Sequence, residues 1–202
     1  DVTFKATPKG EYLYLNKVIK GVSSSELLPA IVTSSLAALN FPKSMKWDVS
    51  QLKFARPVRW ILCLFGSDVV KLNFAGVESS NKTFSIRRMN TFAEAASPAA
   101  YFDVVKKLGV TIDLSERCNA IISSLNQIAE KHGLKTIKDE ALVREVANLT
   151  ESPYAILCDF DANFLKIPEK LLTSTMIKKQ RYFPLYDSQS KLTNKFVVFS
   201  NG

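Results

Sequence analysis

Apolar residues recur at helical spacing in five stretches of the chain. The predicted helices cover residues 24–41, 97–109, 113–133, 139–152 and about 167–180. Start and stop signals accompany them, namely serines at 23–25, Ser97 followed by Pro98, and glycines at 109 and 133. Helices are therefore expected to dominate the middle of the chain, at about 97–152.

Strand-like runs lie on both sides of this helical stretch. The apolar runs 58–66 and 69–77 are joined by the short segment GSD, which predicts a hairpin, and 81–89 can add a third strand. Residues 11–21 read as a hairpin arm, 153–160 as a buried strand, and PLYD and NKFVVFSN as a closing hairpin around SQSK. We therefore predict an α+β (mixed α/β) fold, a mixed sheet with packed helices, in one domain over residues 1–202.

Charge and cysteine content narrow the class of protein. The 202 residues hold 27 Lys and Arg against 19 Asp and Glu, a net charge of +8 that favours a polyanionic partner. Cys63, Cys118 and Cys158 form no C-x-x-C pair, so we predict unpaired thiols, with Cys63 and Cys158 buried.

No apolar run reaches the roughly 20 residues that span a bilayer. The missing initial Met and the strand-like end predict a fragment of a longer protein.

Motifs for catalysis or metal binding are weak. The sequence contains no G-x-G-x-x-G, G-x-x-x-x-G-K-[ST] or G-x-S-x-G. Asp159 and Asp161 would share a strand face but have no third ligand nearby, and His132, the single histidine, precedes a glycine at a predicted helix end. We therefore predict no catalytic residue, no metal site and no cofactor in this chain.

Cations lie close to aromatic rings in four segments: FPKSMKW, FARPVRW, FSIRR and MIKKQRYF. Such a mixture is typical of surfaces that bind nucleic acid, because cations bind phosphates while rings and guanidinium groups stack on bases. The alternative is that these cations are solvated or paired with acids, and that Trp60 belongs to the core. The residues alone leave both open. The candidate nucleic-acid contacts are Lys43, Lys46, Arg56, Arg59, Arg87, Arg88, Lys178, Lys179 and Arg181.

Six blocks taken together resemble one family. FPKSMKW, FARPVRWILCLFG, FAGVESSNKT, EVANLTESPYAIL, FLKIPEKLLTSTMIKKQRYFPLYD and KFVVFSNG are similar, in this order, to the beta subunits of bacterial-type heterotetrameric glycyl-tRNA synthetases. The resemblance covers nearly the whole chain. It implies an N-terminal part of such a subunit.

The resemblance also implies a division of work between subunits. In this family the alpha subunit carries the class II catalytic core, which uses ATP and Mg²⁺, and the beta subunit holds the tRNA. The implied partners are the alpha subunit, glycine tRNA and the remaining domains of the beta subunit, with no membrane. The implied location is the bacterial cytoplasm, with a plant-type organelle as the alternative. The implied fold is similar to the central tRNA-handling domains of the phenylalanyl-tRNA synthetase beta subunit.

Two sites depart from the family pattern. Lys179 stands where the family usually has the His of H-Q-R-Y-F, and Ser85 and Ile86 replace the first two residues of G-H-R. A phosphate contact survives the first change, because lysine is also a cation. Three functions stay open: a tRNA-binding module, a structural docking module without tRNA contact, and a vestigial editing-like domain. Editing is the weakest of these, because a glycine site can exclude larger amino acids by size.

Overall fold

The computed structural model describes residues 2–15, 17–86 and 89–202. These residues contain five α-helices and several small sheets, which confirms the predicted mixed α/β class. Where the sequence predicted one domain, the chain groups into two compact units, residues 1–80 and residues 81–202. None of the helices within the described residues is long and apolar enough to cross a membrane.

The first unit contains one helix and short strands. They are β1 (Val2–Thr7), β2 (Gly10–Leu15), α1 (Ser24–Ala37), β3 (Met45–Lys46), β4 (Lys53–Phe54), β5 (Ile61–Leu62), β6 (Leu64–Phe65), β7 (Asp68–Val69), β8 (Asn73–Phe74) and β9 (Val77–Ser80). Three antiparallel pairs form, β1 with β2, β3 with β4, and β6 with β7. The remaining sheet has the order β5-β9-β8 and is mixed, because β5 runs parallel to β9 while β8 runs antiparallel to it.

The core of the first unit follows the period of a strand. Val70, Leu72 and Phe74 alternate along the chain and are all buried. Leu28, Val32 and Leu36 of α1, spaced four residues apart, pack against them. The predicted hairpin at GSD is confirmed by the β6–β7 pair, although the long apolar runs on either side break into two-residue strands.

The second unit begins with a hairpin and three helices. Its elements are β10 (Lys82–Phe84), β11 (Phe92–Glu94), α2 (Tyr101–Lys107), α3 (Leu114–Lys131), β12 (Lys135–Thr136), α4 (Glu140–Leu149), β13 (Pro153–Asp159), a 3₁₀ turn (Ala162–Lys166), α5 (Glu169–Thr175), a π-helical turn (Met176–Gln180), β14 (Phe183–Tyr186) and β15 (Leu192–Asn201). The sheet order is β12-β14-β15-β13, with every pair antiparallel.

One continuous core joins α3 and α4 to this sheet. Its buried members are Ile121, Leu125 and Ala129 of α3, Leu142, Val143, Val146 and Ala147 of α4, and Phe183, Leu185 and Val197 of the sheet. Both helices begin within one residue of their predicted starts, at an acidic cap, because Asp113 and Asp139 each accept a backbone N–H three residues later at 2.9 Å. Gly133, at a φ of 63°, follows the end of α3.

Two local predictions differ from the structure. The helix predicted from residue 97 begins only at Tyr101, because residues 98–100 form a turn in which the Ala100 N–H bonds Ser97. The strand at 153–160 is present but is not buried on both faces. Tyr154 is 61% exposed while Leu157 packs on the core, since successive side chains of a strand point to opposite faces of the sheet.

The three thiols are free, as predicted, but the predicted burial of Cys63 and Cys158 was wrong. Cys63 and Cys158 are half-buried, and so is Cys118. Cys63 packs against the small core of the first unit, which has only three buried members, Val70, Leu72 and Phe74, among the described residues. Burial still raises the pKa of the Cys63 thiol, since desolvation disfavours the thiolate.

Candidate nucleic-acid interface

The predicted basic cluster at 177–181 lies on an unusual helix end. After α5 ends at Thr175, residues Met176–Gln180 form a π-helical turn. Such turns are rare in proteins, and those that occur are often found at functional sites. The Met176 side chain is buried and anchors the start of this turn in the protein. Lys178 and Lys179 are exposed. We call residues 176–181 the basic turn.

Arg181 closes the basic turn through its own guanidinium group. Nε donates to Glu145 Oε1 of α4 at 2.9 Å, and Nη1 donates to the Lys179 carbonyl oxygen at 2.9 Å. The side chain is 41% exposed. Its predicted contact with phosphate stays a prediction, whereas its bonds to the protein are part of the structure.

The aromatic residues after the basic turn face the protein. Phe183 is fully buried and meets Phe199 edge-on, with ring centroids 5.5 Å apart. Tyr182 is half-buried and stacks on Phe196 at 4.6 Å with an interplanar angle of 22°, and Phe196 stacks in turn on Phe160. At least one face of the Tyr182 ring is therefore occupied by protein, as expected for a residue partly in the core.

Four further candidates lie in the first unit, within residues 41–60. Lys46 of β3 lies across from Lys53 of β4, and its Nζ donates to Gln51 Oε1 at 3.0 Å. Lys43 and Arg56 are exposed, and the guanidinium carbon of Arg59 lies 5.9 Å from the Trp60 ring centroid. The pairing adds Lys53 to this group. The sequence pattern missed Lys53, because its place opposite Lys46 depends on the pairing of two strands that are too short to show a local alternation.

The rings near these cations are mostly structural. Phe54 meets Phe41 edge-on at 4.8 Å and Phe74 at 5.7 Å, which continues the core of the first unit. The Trp47 indole N–H donates to the Phe54 carbonyl oxygen at 2.9 Å. Trp60, predicted in the core, is 36% exposed. The contacts of these aromatic residues are thus with the protein itself, and they stabilise the local fold.

Arg87 and Arg88, the remaining candidates, lie outside the described residues. The two residues that replace the family pattern just before them are buried, Ser85 at 6% exposure and Ile86 at 4%. Ser85 Oγ accepts the Thr91 N–H at 3.1 Å, and the Ser85 N–H donates to the Thr91 carbonyl at 2.9 Å. The substituted serine therefore has a structural role, holding the two ends of segment 86–90 together.

Two of the residues considered for chemistry, Asp161 and His132, have ordinary structural roles. Asp161 Oδ1 accepts the Asn163 N–H at 2.9 Å and caps the 3₁₀ turn, and His132 is the C-cap of α3. Over the described ranges, no group of three or more His, Cys, Asp and Glu side chains could hold a metal ion.

Comparison with known proteins gives the family. The profile described as "Glycyl-tRNA synthetase beta subunit" matches residues 1–202. A glycine–tRNA ligase beta subunit of Dictyoglomus turgidum is 42% identical over 199 residues, which are 98% of this chain and 29% of that protein. The same-named protein of Dictyoglomus thermophilum is 39% identical over 203 residues, 100% of this chain and 30% of its own length. That of Listeria monocytogenes serotype 4b is 31% identical over 202 residues, 100% of this chain and 29% of its own length.

The chain belongs to the glycyl-tRNA synthetase beta subunit family, as its six sequence blocks predicted. It spans less than a third of the length of the relatives compared here.

Proposed function

We propose that this chain contributes tRNA binding and subunit architecture to a glycine–tRNA ligase, the enzyme that joins glycine to its tRNA with ATP. Support comes from family membership and from the name that the relatives carry. The adenylate chemistry, with ATP, Mg²⁺ and the class II core, belongs in this proposal to the alpha subunit. The partners are that subunit, glycine tRNA and the rest of the beta subunit, in the cytoplasm. We also propose a likeness to the central domains of the phenylalanyl-tRNA synthetase beta subunit.

The basic turn carries the proposal for RNA contact. Lys178 and Lys179 are exposed side by side, and their backbone is anchored by buried Met176 on one side and by Arg181 on the other. An ammonium group offers three donors and a full charge to phosphate but has no planar fork to read a base. We therefore assign these lysines to the phosphate backbone, a contact that does not depend on sequence.

The double change Lys178→Ala, Lys179→Ala tests this assignment. Each lost phosphate contact lowers the slope of log K against log salt by about 0.7 to 0.9, so the double variant should lose between one and two units of slope. In the intact synthetase the Michaelis constant for tRNA should rise, while those for glycine and ATP stay unchanged. Filter binding of glycine tRNA at several salt concentrations measures the slope.

A matched control exists in the same unit. Lys106 and Lys107 are also adjacent, exposed and in the last turn of a helix, α2. Lys106→Ala, Lys107→Ala should leave the salt slope close to that of the unaltered protein. If both double variants bind tRNA like the unaltered protein across the salt range, the lysines of the basic turn are only a solvated helix end.

A docking role is the second candidate, because the β1–β2 hairpin has one apolar face. The register sets Val2 opposite Leu15 and Phe4 opposite Leu13, and these side chains are 55%, 69%, 67% and 62% exposed. A two-stranded hairpin is marginally stable in water without further packing. The remainder of a polypeptide as long as its relatives is the proposed cover for this face.

Polar substitution of that face tests the docking role. Phe4→Ser, Leu13→Ser in the full-length beta subunit should lower its melting temperature, since a buried aromatic and a buried leucine would be lost from an internal contact. The control is Lys5→Ser, Tyr12→Ser, which changes a directly opposed pair on the other face. Equal melting temperatures for the two variants would contradict an internal contact on the apolar face.

A further inference from the structure

The backbone of Arg181 has a conformation that arginine rarely adopts. Its φ of 57° lies in the left-handed region, which is unfavourable for any residue with a Cβ atom. The Tyr182 N–H reaches back six residues to the Met176 carbonyl at 2.9 Å, one residue further than in the usual Schellman ending, because the turn is π-helical. Glycine is the usual residue at such a position. An arginine here implies that its side chain compensates for the backbone cost.

The side chain of Arg181 joins the basic turn to the core of the second unit. Glu145, its partner, lies 36 positions away on α4. The next residue, Val146, is buried in the core, so the backbone that carries Glu145 is fixed. The second bond of Arg181 holds the Lys179 carbonyl, and therefore the backbone of the lysine itself. One guanidinium group thus links the backbone of the basic turn to a helix whose inner face is buried in the core.

We propose that Glu145 and Arg181 are positioning residues, which hold Lys178 and Lys179 in place for tRNA phosphate without binding the phosphate themselves. This inference rests on the proposed function of the basic turn. It assigns to Glu145, an acid, a favourable effect on the binding of a polyanion. A carboxylate beside a phosphate site otherwise repels the ligand, so removing it should strengthen binding. Positioning of the lysines and repulsion of phosphate therefore predict opposite changes in tRNA affinity when Glu145 is removed.

Substitution of Glu145 in the intact synthetase shows whether its carboxylate raises or lowers the affinity for tRNA. Glu145→Ala should weaken binding of a glycine tRNA transcript by about threefold to tenfold, within the range of coupling between residues in one hydrogen-bond network. Glu145→Gln should lie between Glu145→Ala and the unaltered protein, because its amide oxygen can still accept from Arg181. If Glu145 acts through repulsion alone, both variants instead bind tRNA more tightly than the unaltered protein, and the inference is wrong.

A second measurement shows whether Glu145 acts through the lysines. In the background Lys178→Ala, Lys179→Ala, the further change Glu145→Ala should have no effect on tRNA affinity, since no positioned cation remains. An equal loss in both backgrounds would overturn the inference. Glu130, an exposed acid on α3, is the control, and Glu130→Ala should leave affinity unchanged or slightly higher. The Michaelis constant for tRNA should follow the same order, with those for glycine and ATP constant.

Failure of this inference and failure of the proposed function give different results. If the lysine double variant binds tRNA normally, the proposed function of the turn is lost, and the inference with it. If the lysines matter but Glu145→Ala leaves binding unchanged or improves it, only the positioning role is lost. The variants of Glu145 should stay folded, because a half-exposed ion pair contributes little to the stability of a protein.

Discussion

Replacing Phe183 with alanine is expected to lower the free energy of unfolding by about 3 to 5 kcal/mol. Phe183 is fully buried at the start of β14, in the core that joins α3, α4 and the sheet. Alanine removes the apolar surface of the ring and leaves a cavity among well-ordered neighbours. It also removes the edge-on contact with Phe199, at 5.5 Å between centroids. Urea denaturation followed by circular dichroism measures the loss.

Leu171 provides the control for this substitution. It lies on α5, close in sequence to Phe183, but is 60% exposed. Leu171→Ala should change the free energy of unfolding by no more than about 0.5 kcal/mol, as for most surface positions. Similar midpoints for the two variants would mean that the core does not depend on Phe183.

The parts of the fold that follow from local signals could be predicted from the sequence. Helices α3 and α4 have an apolar stripe, an acidic cap and, for α3, a glycine just beyond the last turn. Each of these signals acts within a few residues, so neighbouring letters suffice to recognise them. The closing hairpin β14–β15 has the same character, with two apolar runs around a polar turn.

The short strands of the first unit could not be predicted in the same way. Strands of two residues carry no detectable alternation, and their pairing depends on partners elsewhere in the chain. The parallel pair of β5 with β9 joins Ile61 to Ser79, across two intervening turns. The grouping of the chain into residues 1–80 and 81–202 has no local signal either, because no composition change or linker marks residue 80.

The basic turn also has features that follow from the local sequence and others that depend on distant residues. That Lys178 and Lys179 lie at an exposed helix end follows from the sequence, because a helix pattern stops there. The π-helical form of the turn does not follow from it, nor does the bond from Arg181 to Glu145, 36 positions away. Every candidate cation looked alike in the sequence. The structure separates those with free ammonium groups from those that hold the protein together.

Arg117 is a cation of the second kind, and sequence reasoning passed over it entirely. Its Nε donates to the Ala147 carbonyl at 2.8 Å, and Nη1 donates to the carbonyls of Thr111 and Ile112 at 2.6 Å each. Ala147 lies in the last turn of α4, where carbonyl groups have no partner within the helix. Arg117 therefore caps α4 from α3 and fixes the segment that precedes α3.

Replacing Arg117 with alanine is expected to lower the free energy of unfolding by about 2 to 4 kcal/mol, since bonds to a charged group contribute about 1.5 to 3 kcal/mol each and water replaces part of the loss. Arg117→Lys should recover less than half, because a single ammonium group cannot reproduce the guanidinium fork. Arg144, exposed on α4, is the matched control, and Arg144→Ala should stay within about 0.5 kcal/mol of the unaltered protein. Urea midpoints for the three variants decide the matter. A lysine variant as stable as the unaltered protein would show that charge alone, and not the three directed bonds, stabilises the end of α4.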